Sequence, residues 1–407
     1  MKSIVKISRF LVGILFIFSG LVKANDPLGL AYKMQEFFDV WAQGGFLPGM
    51  MHRMDNYALA FSVLIIAFEI IAGVAVLVGW RMRIFGWLLL LLILFFTFLT
   101  GYAYLSGKFR SCGCFGDCIP LSPFGSFIKD LILLVLILLI FAWRKKIKPI
   151  FSGSISTGIM MVSLILSYIF QWYVLKHLPF VDCLPFKVGN DIPAKMKIPA
   201  GAVPDSTIIT FVYQKDGKEI EFTADHFPED FDDSIYHFVK RYDKLIRKGN
   251  AEPPIKDFSL KTSAGIDTTL PILQSAGYKL FLFLKDADES ASGWEAECRL
   301  ILKQAETKNI PAFLITASAP DRINSFLEDE KLGRISVLSC DPVPIKTAAR
   351  ANPTLILLKE GVIIGKWSHA DFDKAFKTIL QIANNPGESA AASTGNLSND
   401  SLNNKNP

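Results

Sequence analysis

Charge is scarce in the first 175 of the 407 residues, and histidine and cysteine are scarce throughout. There are five histidines (His52, His177, His226, His237, His369), scattered and without metal-ligand spacing. A zinc site normally pairs Cys-x-x-Cys with a second pair or with histidines, so the sequence offers no metal centre of that kind. No His-Glu-x-x-His, Walker lysine loop or Gly-x-Gly-x-x-Gly occurs, which removes the common signatures of metalloproteases and nucleotide-binding loops. The net charge of +5 is small for this length. It forms no clustered basic face, so nucleic acid is not an expected partner.

What is present is apolar. The chain is 51% hydrophobic, and nearly all long apolar runs precede residue 176. A helix needs about 20 apolar residues to cross a bilayer. Five segments meet or approach that length: Phe10–Val22, Tyr57–Val78, Ile84–Leu105, Leu131–Trp143 and Pro149–Leu175. The shorter two reach it if flanking basic side chains snorkel. Lys2, Lys6 and Arg9 precede the first segment, Arg81 and Arg83 separate the second and third, and Arg144, Lys145, Lys146 and Lys148 separate the fourth and fifth. The other loops carry acids (Asp26, Glu36, Asp39, Asp55, Asp117). The positive-inside rule then predicts a cytoplasmic N-terminus and an external segment after Leu175. The lipid bilayer is the first expected partner. The first segment also fits a signal peptide, but Val22-Lys23-Ala24 lacks a small-x-small cleavage pattern and no lipobox cysteine follows.

Five divisions are expected: a four-helix membrane domain over 1–148, a fifth span over 149–176, a connecting region over 177–253, an α/β domain over 254–385 and a disordered tail over 386–407. Leu30–Trp41 reads as a surface amphipathic helix. In the connecting region Thr207–Phe222 reads as a hairpin turning at Lys215-Asp216-Gly217-Lys218, and Asp233–Arg247 as a helix. Beyond Pro253-Pro254 the predicted strands are Tyr278–Leu284, Ile310–Thr316, Ile335–Ser339, Thr354–Leu358 and Val362–Trp367. They alternate with helices over Gly293–Lys308, Asp321–Leu332 and Ala370–Ala383, a pattern that indicates a mainly parallel sheet with helices on its faces.

The first ~145 residues resemble the DoxX-like membrane family, a four-helix unit, through Arg9, Gly13, Gly20, Lys23, Asp26-Pro27, Glu69, Gly73 and Gly79. The run Cys112-Gly113-Cys114-Phe115-Gly116, with Asp130 in the next helix, is similar to the MauE branch, which is associated with forming disulfides in a periplasmic amine dehydrogenase subunit. Residues from about Pro254 to Ala383 resemble a thioredoxin-like domain of the membrane-anchored reductase or peroxiredoxin type. Asp257-Phe258-Ser259-Leu260 stands where the first strand begins, Ala351-Asn352-Pro353-Thr354 where such folds carry a cis-proline, and Lys359-Glu360-Gly361 at the hairpin turn. The Cys-x-x-Cys of that family is absent from its slot near Asp288–Gly293. The resemblance therefore implies a membrane bundle with a fifth helix and a redox-dead thioredoxin-like domain, in a bacterial cytoplasmic (inner) membrane with the domain in the periplasm or outside.

The chemistry-bearing candidates follow. Cys112, Cys114 and Cys118 crowd one loop, and Cys183 follows the fifth span at the same membrane face. Cys112 and Cys114 are the candidate exchange pair. Cys118 is the candidate resolving thiol, and a Cys118–Cys183 link or relay is geometrically open. Inert structural disulfides, or a metal with Asp117 as a further ligand, are the alternatives. Cys298 and Cys340 read as core residues. Glu69 lies near mid-membrane, where an acid faces a partner or a cavity; Arg9, Lys23 and Lys129 are its candidate partners. Asp130 lies nearer the interface and can pair with a loop lysine. Asn352, Pro353 and Thr354 form a candidate partner-docking loop. These features point to a thiol–disulfide oxidoreductase or accessory factor acting on an exported client or a redox partner protein. No cofactor is evident, and a membrane quinone is one candidate electron acceptor. A non-enzymatic scaffold and a subunit of a quinone-linked oxidoreductase are the rival readings.

Overall fold

A computed structural model of the chain describes residues 2–109, 113, 115–204, 206–232, 234–247, 249, 251–333 and 335–382. Cys112, Cys114 and the expected tail over 386–407 lie outside the described residues.

The N-terminal part is helical: α1 (Lys2–Ala24), α2 (Pro27–Gln43), α3 (Pro48–Asp55), α4 (Ala58–Val78), α5 (Met82–Ser106), α6 (Pro123–Trp143) and α7 (Gly153–His177). Among them α1, α4, α5, α6 and α7 are long and apolar enough to cross a membrane. Their outward faces carry exposed Leu91, Phe98, Val135, Leu166 and Trp172, which a bilayer would cover. Glycine sets the tightest packing. A Cβ added at Gly73 of α4 would lie 2.8 Å from the carbonyl oxygen of Gly13 in α1. Only hydrogen there lets the two backbones meet. That close approach brings Lys23, near the end of α1, alongside Glu69 of α4.

A short helix α8 (Ile192–Lys195) leads to a small antiparallel sheet of order β2-β1-β3, with β1 Ser206–Lys215, β2 Lys218–Thr223 and β3 His237–Arg247. The β1–β2 turn places Asp216 and Gly217 at φ 52° and 77°. Both central residues at positive φ suit a tight hairpin. The helix expected over Asp233–Arg247 is corrected: the segment contains β3, paired along β1. Its apolar residues (Ile235, Phe238, Val239, Tyr242) do recur at helical spacing. Pairing with β1 overrides that local signal, as tertiary context commonly overrides propensity.

The last unit comprises α9 (Thr269–Gln274), β4 (Tyr278–Leu284), α10 (Glu295–Thr307), β5 (Ala312–Thr316), α11 (Pro320–Asp329), β6 (Ser336–Ser339), α12 (Pro342–Ala348), β7 (Thr354–Lys359), β8 (Val362–Ser368) and α13 (Phe372–Gln381). Its sheet has the order β6-β5-β4-β7-β8. It is mixed and not mainly parallel: β4–β5 and β5–β6 run parallel, whereas β4–β7 and β7–β8 run antiparallel. The short Glu360-Gly361 turn between β7 and β8 can only join antiparallel neighbours. Strand β4 divides two cores by alternation. Leu280, Leu282 and Leu284 face α10 and α13, while Phe281 and Phe283 face Phe258, Leu260, Leu273 and Ile345. The strand expected at Asp257–Leu260 is not formed. Phe258 and Leu260 are buried as an irregular segment, and only Lys261 bridges to Ser339.

The expected boundary at residue 253 is crossed. Phe186 and Ile192 belong to the second core, and Gly189, Asn190 and Ile192 hydrogen-bond to Ile363 and Gly361 at the β8 edge. The chain leaving α7 therefore enters the α/β domain directly, and the three-stranded sheet is an insertion after that first pass.

Candidate functional site

Two polar constellations stand out. The first lies inside the helical unit. Lys23 Nζ is 2.7 and 3.0 Å from the two Glu69 oxygens, and Ser19 Oγ donates to Glu69 Oε1 at 2.8 Å. Lys23 is thus the partner of Glu69. Arg9 is not: it donates to the carbonyls of Val76 and Leu77, and so caps the C-terminal turn of α4. Asp130 is buried. It accepts from Thr100 Oγ1 at 3.0 Å and pairs with Lys129, its neighbour on α6, at 2.6 Å, in place of the loop lysine expected. Glu69 and Asp130 share one void of about 30 Å³ with Lys23 and Phe115, which is about the volume of a single water.

The second constellation is the seam where the α/β domain sits on the end of the bundle. Arg350, 5% exposed, donates from Nε to Asp26 at 2.8 Å and from Nη2 to Asp117 at 2.9 Å. Asp26 also caps α2, accepting from Gly29 N. Burial pushes the Asp26 carboxyl up, Arg350 opposes that, and the neighbouring Asp117 adds to it. The Tyr32 ring lies beneath Arg350 and Lys346, with cations 5.3 and 5.1 Å from its centroid. Lys285 Nζ meets the Tyr32 hydroxyl at 3.3 Å. Burial, then the positive charges of Arg350 and Lys346, depress the Lys285 amine to about 8. Further along, Lys366 pairs with Asp182 at 2.7 Å and His177 with Asp371 at 3.0 Å. Asn25 makes two hydrogen bonds with the backbone of Val181.

Cys118 and Cys183 are joined in a disulfide at this seam, their Cα atoms 4.9 Å apart. It ties the loop after α5 to the segment after α7. Each cysteine follows an aspartate that holds the α/β domain, Asp117 on Arg350 and Asp182 on Lys366. Asp117, considered from sequence as a metal ligand, is engaged by an arginine. Cys298 and Cys340 are free and buried in different cores, and burial pushes both thiols up to about 12.

The 351–354 loop has the expected cis peptide, Asn352–Pro353. Its polar side chains are engaged within the domain. Asn352 spends its side chain on Lys285 N and the Asp286 carbonyl, and Thr354 is fully buried against Ala351. Asn352 O also accepts from Ala291 N, so the slot lacking cysteines is fastened to the cis-proline loop. Arg350, just before the loop, meets Asp26 and Asp117 of the chain's own membrane unit. Sequence reasoning missed Arg350, Tyr32, Lys285, Asp182 and Lys366. The one available signal was the Asp26-Pro27 pair, a helix N-cap whose second oxygen was free for a partner.

Fold and seam define a class: a five-span membrane unit bearing a thioredoxin-like domain on one end. More particularly, residues 1–144 match the family of the methylamine utilisation protein MauE. Residues 207–248 match a domain of unknown function, DUF8463. Protein TlpB of Flavobacterium psychrophilum is 28% identical over 160 residues, 39% of this chain. The match spans 41% of that relative's length. Among solved structures, a thiol:disulfide interchange protein from Bacteroides sp. aligns at 16% identity and TM-score 0.26, covering 33% of this chain and 91% of that one. Reduced Prx3 from Vibrio vulnificus aligns at 10% and 0.25, covering 31% and 95%.

Proposed function

We propose that the protein assists thiol–disulfide exchange, and so the maturation of exported proteins, through the cysteine loop between α5 and α6. Cys112 and Cys114 are the exchange pair. Cys118 resolves the mixed disulfide and relays to Cys183. The observation that supports this reading is the Cys118–Cys183 disulfide at the seam, half-buried and six residues from Cys112 in sequence. In each exchange a thiolate attacks one sulfur of a disulfide and the other leaves as thiolate. One dithiol becomes a disulfide as one disulfide becomes a dithiol. The thioredoxin-like domain positions the loop and its client, and has no thiol of its own for the reaction.

The proposed setting is a bacterial inner membrane, with the basic loops cytoplasmic and the thioredoxin-like domain external. A reporter active only outside the cytoplasm should be active when fused after Asn250 and silent within Arg144–Lys148; the reverse overturns the orientation.

The deciding experiment for exchange traps the covalent intermediate. Cys118→Ala should accumulate a higher-mass adduct on a non-reducing gel, and Cys112→Ala in the same background should abolish it. An adduct that persists there belongs to the freed Cys183 and overturns the role of Cys112. A scaffold without chemistry is the second reading, favoured by the self-docked and cysteine-free thioredoxin face. It predicts no adduct, and an unchanged cellular phenotype when the loop cysteines are replaced together.

A further inference from the structure

The end of the bundle opposite the seam is basic. Arg81 and Arg83 stand at the turn from α4 into α5, and Arg144, Lys145, Lys146 and Lys148 lie between α6 and α7. No aspartate or glutamate occurs between Glu69 and Asp117 or between Asp130 and Asp182. Among the described residues, none of these cations pairs with a carboxylate. Trp80, Trp87 and Trp143, three of the seven tryptophans, stand at the same end. Such rings collect where a bilayer meets water.

One part of this end is held in place by packing. The stem of Arg144 lies against α5, where a Cβ added at Gly86 would come within 3.0 Å of its Cδ. Its guanidinium carbon is 3.7 Å from the centroid of Phe141 and 5.4 Å from that of Trp87. The two rings meet edge to face at 4.6 Å. Nη1 donates to the Phe141 carbonyl at 2.8 Å, and Nε and Nη2 have no hydrogen-bond partner among the described residues. Arg83 and Trp87 stand four residues apart on α5 and so share one face of it. Both are exposed, as are Ile84 and Leu91 on the same stripe of the helix.

We propose that Arg83, Trp87 and Arg144 bind the headgroup of an anionic phospholipid, whose acyl chains run along Ile84 and Leu91. The proposal goes beyond the exchange reading and does not depend on it. A planar guanidinium matches two phosphate oxygens at once. Arg144 is already fixed by its stem and by two rings, so it has little freedom left to lose on binding. Trp87 keeps its apolar body among the chains and its polar edge at the headgroup. The missing acids set the preference. A zwitterionic headgroup brings an ammonium that finds no carboxylate at this end and is repelled by the cations. An anionic headgroup brings only the charge they attract.

The test uses the full chain in lipid nanodiscs of phosphatidylcholine, doped with either phosphatidylglycerol or phosphatidylcholine carrying brominated chains. Bromine quenches nearby tryptophans, and the fluorescence that Trp87→Phe removes reports this site. Brominated phosphatidylglycerol should half-quench that component at a roughly tenfold lower mole fraction than brominated phosphatidylcholine. Arg83→Gln with Arg144→Gln should remove the difference. Arg83→Gln alone, at an exposed position, should reduce it severalfold and serves if the double variant misfolds. Lys6→Gln with Lys148→Gln removes the same charge at the same end, beside α1 and α4, and should leave the difference intact. Equal quenching by the two lipids in the parent overturns the proposal, as does a difference that survives the arginine variants. A loss in the lysine variant as large as in the double arginine variant assigns the preference to the diffuse charge of the whole end and overturns the site. Inorganic phosphate added to the parent should not relieve the quenching; relief would make this a site for a free anion and not for a lipid.

Discussion

Arg350 Nη2 lies 2.9 Å from Asp117 Oδ2, across 233 residues of sequence, and Asp117 is the residue before Cys118. The same guanidinium holds Asp26 at 2.8 Å. One side chain of the thioredoxin-like domain therefore clamps the start of α2 and the cysteine loop together. Breaking a buried ion pair by removing one partner costs about 3–5 kcal/mol, because the other charge is left uncompensated. Arg350→Met should therefore loosen the domain on the bundle, seen as faster hydrogen exchange in α2 and in residues 285–291. Asp26 is 13% exposed and Asp117 38%. Asp26→Asn should thus cost more than Asp117→Asn. Equal exchange in Arg350→Met and the parent would dismiss the clamp.

Lys285 gives the seam a pH dependence. Undocking exposes the amine and lets it rise toward its ordinary 10.5, whereas docked it titrates at about 8. Between those values the undocked state binds more protons, so docking strengthens as pH rises. The gain is complete above 10.5 and is lost as pH falls through 8. The shift corresponds to at most about 3–4 kcal/mol. The groups that set it are Arg350, Lys346, Asp26 and Glu289, around a site walled by Tyr32. Exchange protection at the seam should rise from pH 8 to 10 in the parent and stay flat in Lys285→Met. A parallel rise in both proteins would assign the effect to another group.

The parts legible in the sequence are those that depend on local pattern. The five spans follow from apolar length, the β1–β2 turn from Asp216-Gly217, and the burial of β4 from its run of Leu and Phe. Residues 237–247 were misread because an amphipathic helix and this strand share the same apolar spacing, and only β1, about thirty residues earlier, decides between them. The Lys23–Glu69 pair was legible because an intramembrane acid demands a partner. The seam was not. Arg350 is an unremarkable basic residue until folding brings it to Asp26, 324 residues away.

The first pass of the chain into the α/β core makes a fragment test possible. Residues 254–382 lack Phe186 and Ile192, both about fully buried in the second core. Burying each contributes about 1.5–3 kcal/mol. A fragment over 184–382 should melt cooperatively, and 254–382 should melt at markedly lower temperature or not fold. Neither should reduce insulin, because Cys298 and Cys340 are separated by the sheet and their thiols, pushed to about 12, carry almost no thiolate at neutral pH. Robust reductase activity from the longer fragment would refute the redox-dead assignment.

The Cys118–Cys183 bond spans 65 residues of sequence, including α6 and α7. It holds together the two loops whose aspartates, Asp117 and Asp182, grip Arg350 and Lys366. Opening it frees both loops at once, so reduction should weaken domain docking even though no seam contact is removed. Loss of a native disulfide costs roughly 2–5 kcal/mol, largely through the freedom the severed chain gains. Mild reduction of the full chain should expose Cys118 and Cys183 to a thiol label well before Cys298 and Cys340, which are buried in folded cores. At that stage, exchange at residues 178–184 and at the start of α2 should accelerate together. Cys118→Ser with Cys183→Ser should reproduce the acceleration without reductant, and adding Arg350→Met should then have a smaller effect than in the parent. If reduction labels the pair while the seam keeps its protection, the disulfide is independent of docking, and the paired aspartates hold the domain without it.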